Sequence, residues 1–260
     1  MKIKNITVVN LFILSFILLT SCRARFYTPN RNPVPLFKNK GDLYLDGSTN
    51  LRNKYDLTAG YAIIDGLAGY VGYGGSTLKT SSTDSVGGGT IKTNEKYQGN
   101  MLNLGVGYFL SEKQSENLRF EIFGDIALGS YKNKITGSTN EYFNGNYTRI
   151  GIMPNVGFTS NDNKFHFAYS LRYSTLVFNN DRYSNSGFWS SDIYRLKSKP
   201  YYSLLEHGLN FRIGSEKVKF QMQFGYYQGL NSDELENAIP KYNASIMLGL
   251  VLNTNLLEKL

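Results

Sequence analysis

The chain has 260 residues, with 28 Lys and Arg against 20 Asp and Glu, a formal charge of +8, one cysteine and two histidines. The cationic excess is modest and scattered, with no dense basic run, and argues against nucleic-acid binding. A single cysteine excludes an internal disulfide framework and a thiolate metal cluster, and long helical patterns are absent.

Lys2 and Lys4 precede an apolar run from Leu11 to Leu19, and Thr20 and Ser21 follow before Cys22. A basic start, an apolar middle and small residues at the cut read as an export signal over residues 1–21. Leu19-Thr20-Ser21-Cys22 resembles the lipobox of bacterial lipoproteins. That resemblance implies cleavage before Cys22 and fatty acylation, palmitate included, of its thiol and amine. An ordinary export signal beside an unrelated cysteine is the plainer reading. Loss of Lys2 and Lys4 with the signal lowers the formal charge from +8 to +6. No later run of about 18 apolar residues follows, so no membrane-spanning helix is expected.

Residues 22–40 hold the cysteine and then Pro29, Pro33 and Pro35. Proline fixes φ and removes a donor, so this stretch is expected to be an extended periplasmic tether, neither helix nor central strand. From Gly41 onward apolar residues recur with a period of two, the mark of strands with one apolar face. Ten segments carry the pattern: 42–51, 54–64, 67–79, 97–110, 118–131, 147–159, 164–178, 201–213, 218–229 and 242–253. Asp65-Gly66 reads as a tight hairpin turn between the second and third. The barrel is thus expected over residues 41–254, with a short tail at 255–260.

From the second link onward the connections alternate short and long. Residues 65–66, 111–117, 160–163 and 214–217 are short, whereas 80–96, 132–146, 179–200 and 230–241 are long. This is the layout of a transmembrane barrel with tight periplasmic turns and long outer loops. Segments of about 10 to 14 residues suit a tilted bilayer crossing better than a globular strand. One face is aliphatic, with tyrosines towards the ends. The other carries Gly, Asn, Gln and charge, as a crowded polar lumen would.

The stretch 41–253 resembles bacterial outer-membrane β-barrels of the porin-like or OmpA-like kind. The expected fold is all-β, a ten-stranded antiparallel up-and-down transmembrane β-barrel, lipid-anchored at Cys22 in the outer membrane with both termini periplasmic. The chain departs from that group in ending Leu256-Leu257-Glu258-Lys259-Leu260 rather than on an aromatic residue. A lipid anchor is also unusual for a barrel.

The polar phase brings Arg119, Glu121, Asp125, Arg149, Arg172 and Glu206 towards one lumen. If Phe178 pairs near Pro200, Arg172 falls opposite Glu206, and such a pair would obstruct a pore. His166 lies on the polar phase and His207 on the apolar one, and nothing in the spacing joins either to a nucleophile and a carboxylate. Gly72-Tyr73-Gly74-Gly75 and Gly87-Gly88-Gly89 open no helix, so they do not read as phosphate cradles. Asp233, Glu234 and Glu236 lack calcium-loop spacing. Arg182, Trp189, Tyr194 and Arg195 mix cations with aromatics in the longest loop, where they could meet sugars or anionic headgroups.

No cofactor or metal is expected. The partners expected are outer-membrane lipid and, through the loops, lipopolysaccharide or surface glycans. Three functional readings stand. The first is a non-enzymatic outer-membrane lipoprotein acting in envelope structure, surface interaction or limited small-solute passage. The second is a lipid-anchored soluble β-barrel or sandwich that binds a ligand or protein partner. The third is a barrel enzyme acting on lipid or peptide.

Overall fold

The computed structural model describes residues 27, 29–50, 54–86, 89–111, 117–137, 141–184, 200–230 and 242–255. Ten strands form one closed antiparallel barrel in which each pairs with its neighbours in sequence and β1 pairs with β10. They are β1 (Asp42–Thr49), β2 (Lys54–Ile64), β3 (Leu67–Val86), β4 (Gly89–Phe109), β5 (Leu118–Thr136), β6 (Glu141–Thr159), β7 (Phe165–Ser184), β8 (Tyr201–Gly214), β9 (Val218–Gly229) and β10 (Tyr242–Asn255). The seam runs from Asp42 opposite Asn255 to Thr49 opposite Leu248. Within the band every strand is thereby paired on both sides.

Side-chain alternation explains the barrel. Leu104, Val106, Leu128 and Ile150 point outward and are 48–58% exposed, whereas their chain neighbours Asn103 and Arg149 are fully buried. This inverts a soluble sandwich, whose apolar faces meet inside. On β5 the outward apolar residues run from Leu118 to Leu128. At about 3.3 Å per residue that is about 33 Å of strand. A tilt of about 40° reduces it to about 25 Å of height, the height of an outer-membrane apolar band. The band stops at a polar rung: Ser130 faces Asn100 on one side and Asn146 on the other. Ser130 Oγ donates to Asn100 Oδ1 at 2.7 Å.

At one end the described links at 65–66, 160–164 and 215–217 are tight. Gly66 has φ +85°, a left-handed conformation that suits glycine in the Asp65-Gly66 turn. At the other end β3 to β7 rise well past the band, whereas β1 and β2 have 8 and 11 residues. The stretch expected as a long loop at 80–96 is paired strand up to Val86 opposite Gly89. Between Thr80 and Lys96 the described side chains of both faces are exposed or half-buried, so no apolar alternation marks these residues, yet their ladder hydrogen bonds continue.

The structure places the expected tether differently. Residues 31–37 are buried inside the barrel. The prolines keep the segment extended as expected, but its backbone and apolar side chains find their partners on the lumen face rather than outside it. Asn255, expected in the tail, belongs to β10 and pairs with Asp42.

Candidate functional site: an occupied lumen

Four of the expected charges meet at mid-height. Arg172 and Glu206 are register partners across β7 and β8, and Arg172 Nη1 lies 2.8 Å from Glu206 Oε2. Arg172 Nε is also 3.2 Å from Asp125 Oδ2. Arg149 Nη2 reaches the same Asp125 oxygen at 2.9 Å, and its Nη1 lies 3.7 Å from Glu206. Two guanidinium groups therefore alternate with two carboxylates, and their formal charges cancel. At 0–4% side-chain exposure, such charges require one another.

The N-terminal segment runs along this belt. Tyr27 donates from its hydroxyl to Glu206 Oε1 at 2.6 Å and accepts from Arg149 at 3.0 Å. Asn30 Oδ1 accepts from both Arg149 and Arg172, at 2.9 and 3.2 Å. Asn32 donates to Ser170 Oγ and to the Glu206 carbonyl. The polar belt expected to obstruct a pore is thus also the binding surface of an internal ligand, the chain's own Tyr27 and residues 29–37.

Six backbone groups of the segment find side-chain partners on the wall. Carbonyls of Pro29, Asn32, Pro33 and Val34 accept from Lys54, Gln223, Asn155 and Arg212 respectively. The amides of Arg31 and Phe37 donate to Asp56 at 3.2 Å and Glu121 at 2.8 Å. Prolines suit this environment because they bring acceptors without amide donors to satisfy. The Arg31 side chain pairs with Asp46, which also accepts from Tyr44. Arg212 stacks 5.3 Å over the Tyr44 ring and donates to Gln221 at 2.6 Å.

Apolar layers close both ends of the belt. Towards the long hairpins, Tyr27 packs edge-on against Tyr147 at 5.4 Å and Tyr227 at 6.3 Å, within a cluster that includes Tyr97, Tyr131, Phe143 and Phe178. Towards the tight turns, Phe37 joins Tyr44, Tyr70, Phe109 and Phe123. Leu36 packs with Val34 and Ala168. Its φ of +58° is left-handed, an uncommon state for a non-glycine residue, and marks where the segment turns to leave the lumen. Glycines make room for it: a Cβ on Gly157 would strike the Leu36 side chain, and one on Gly60 would come within 3.0 Å of Phe37.

Of the other expected residues, Glu121 serves the segment, with its second oxygen 3.2 Å from Asn155 Nδ2. Arg119 is fully buried but stands apart from the four-charge group, with Nη1 3.5 Å from the Leu118 carbonyl. His166 is buried, with Nε2 2.7 Å from Asn163, and His207 lies on the outer face, with Nδ1 2.7 Å from the Tyr169 hydroxyl. Neither arrangement is that of a catalytic triad. Trp189, Tyr194, Arg195, Asp233, Glu234 and Glu236 lie outside the described residues, and of Arg182 only the backbone, in β7, is described. Cys22 and residues 256–260 also lie outside them. Among the described residues no group of three or more His, Cys, Asp or Glu could hold a metal ion.

Asp46, Asp56, Lys54 and Arg212 also line the lumen and went unmarked in the sequence. The first three share the inward phase of β1 and β2, and that phase alone could have pointed to them.

No protein-family model matches the chain, and no curated protein does. Among solved structures the chain is similar to CarO2 of Acinetobacter baumannii, at 11% identity and a TM-score of 0.34, over 82% of this chain and 98% of that one. It is similar to the translocator domain of the autotransporter NalP from Neisseria meningitidis, at 14% identity and a TM-score of 0.41, over 81% and 86%. A likeness to the NanC porin has 10% identity and a TM-score of 0.36, over 81% and 98%.

Proposed function

We propose that the chain is a non-enzymatic outer-membrane barrel, acylated at Cys22, that carries tall polar hairpins above the bilayer for envelope structure or surface interaction. The outward apolar band of about 25 Å supports the membrane reading over a soluble lipidated β module. The observation that carries the rest is the occupied lumen: Tyr27 and residues 29–37 fill it between two aromatic layers. In this state the barrel is a closed support, not an open channel. Planar-bilayer recording tests this. The full chain should give little or no conductance, and deletion of residues 27–37 should open stepwise currents. A wide, steady conductance from the full chain refutes the proposal. Faster gel migration of the unheated protein in detergent is the companion test of barrel insertion.

A second feature favours contact with the phosphorylated headgroups of lipopolysaccharide. Just above the polar rung, Lys79 faces Lys96 and Lys96 faces Lys134, while Lys132 faces Gln98 one rung below. Among the described residues, no carboxylate shares that outer face of β3 to β6. Like charges directly opposite across a sheet repel, and phosphate groups lying over them would reverse the sign of that interaction.

A further inference from the structure

The direction of the N-terminal segment conflicts with a periplasmic anchor. Its C-terminal end lies at the tight turns: the Lys40 amide donates to Asp65 at 3.1 Å, and the amides of Lys38 and Asn39 donate to Asp42. Going backwards along the chain, contacts climb through Glu121, Asn155 and Gln223 to Arg149. Pro29 then meets Lys54, the residue of β2 farthest from the tight turn. Tyr27 meets Tyr147 and Tyr227. Tyr147 is the residue next to Asn146, whose rung ends the apolar band. The segment therefore crosses the full height of the band, and its N-terminal end faces the long hairpins.

Chain reach limits where Cys22 can sit. Five residue steps separate it from Tyr27. Fully extended they span about 18 Å. To return to the leaflet beside the tight turns, the chain would have to descend about 25 Å through a lumen that residues 29–37 already fill. The wall offers no lateral exit, because all ten strands are paired. Among the described residues, β1, β2 and β9 end near the band margin.

We propose that the chain threads its own barrel, so that the mature N-terminus emerges beside the long hairpins and the acyl chains of Cys22 insert in the outer leaflet. This rests on the membrane reading and on acylation of Cys22. It reverses the periplasmic placement of the N-terminus expected from the sequence. The tether becomes a transverse strut, hydrogen-bonded to the wall from one leaflet to the other.

Single cysteines labelled on intact cells with a membrane-impermeant maleimide test it, the acylated Cys22 being unreactive. Lys96→Cys on the long hairpin and Glu216→Cys beside a tight turn calibrate the two sides. Arg25→Cys should label on intact cells together with Lys96→Cys, whereas Glu216→Cys should label only after the outer membrane is permeabilised. An epitope inserted between Arg23 and Ala24 should bind antibody on intact cells, and it covers the case of a shielded Arg25→Cys thiol. If Arg25→Cys and the epitope both respond only after permeabilisation, as Glu216→Cys does, the threading proposal is wrong. If Lys96→Cys and Glu216→Cys respond alike, the membrane-spanning reading fails instead.

Discussion

Arg172 and Glu206 face each other directly across β7 and β8, with Nη1 2.8 Å from Oε2 and both side chains buried. Around them Arg149 and Asp125 close the charge group, and Tyr27 and Asn30 of the N-terminal segment dock on it. This cross-strand pair therefore belongs to a charge-balanced group that also holds the segment filling the lumen.

Removing one partner of this pair leaves the buried group of four with an uncompensated charge. Arg172→Ala and Glu206→Ala should each destabilise the barrel by about 3–5 kcal/mol. The volume-matched double variant Arg172→Met with Glu206→Leu should lose less than either single change, since Arg149 and Asp125 still balance. Urea unfolding in detergent micelles reads the difference. A double variant that loses the sum of the two single costs would show that the charges act independently.

The outward phase can be tested by depth on one strand. Leu104→Arg, within the apolar band of β4, should cost about 2–4 kcal/mol, and Asn100→Arg, on the polar rung, about 0–1 kcal/mol. Refolding equilibria in lipid vesicles give both values. Equal costs at the two positions would count against the band as drawn.

Crowding the segment should open the lumen without breaking the wall. In Gly157→Val the new side chain collides with Leu36. Conductance should appear while heat-modifiable migration is retained. A silent variant with intact migration would mean that the segment does not hold the lumen closed.

The lysine rungs should respond with opposite signs in two settings. Lys96→Gln removes like-charge contacts to Lys79 and Lys134. In uncharged detergent it should gain about 0.2–1 kcal/mol. In vesicles containing bisphosphorylated lipid A the same variant should lose the stabilisation that the wild type shows over vesicles of dephosphorylated lipid A. Equal stabilisation of wild type and variant by the phosphorylated lipid would exclude the lysines as its contact.

The sequence made the wall legible and the contents only partly so. β2 and β9 have the ends that two-residue alternation predicts, because their whole length crosses the apolar band. β3 and β4 run past their expected ends at Lys79 and Tyr97, because the described side chains of both faces are exposed or half-buried there. The Arg172 and Glu206 register was readable since the Phe178 and Pro200 pairing fixes the sum of residue numbers across the hairpin. The proline-rich stretch declared its extended shape but not its address. Its partners Asp46, Asp56, Asn155, Gln223 and Arg212 come from five different strands, and no local pattern joins them.

The enclosed segment also constrains the order of assembly. It precedes β1 in the chain, yet its hydrogen-bond partners extend to Arg212 of β8 and Gln223 of β9. No sheet that stops short of β9 can satisfy it, so every partial barrel leaves some of its carbonyls unmatched. The seam that finally encloses it joins the first strand to the last, along the eight residues of β1. A nascent wall curling around Tyr27 and residues 29–37 therefore gains its remaining lumen contacts in step with the late strands. The segment acts as a mandrel on which the cylinder is wound, and its removal should slow closure of the β1 and β10 seam more than formation of the β3 to β7 hairpins.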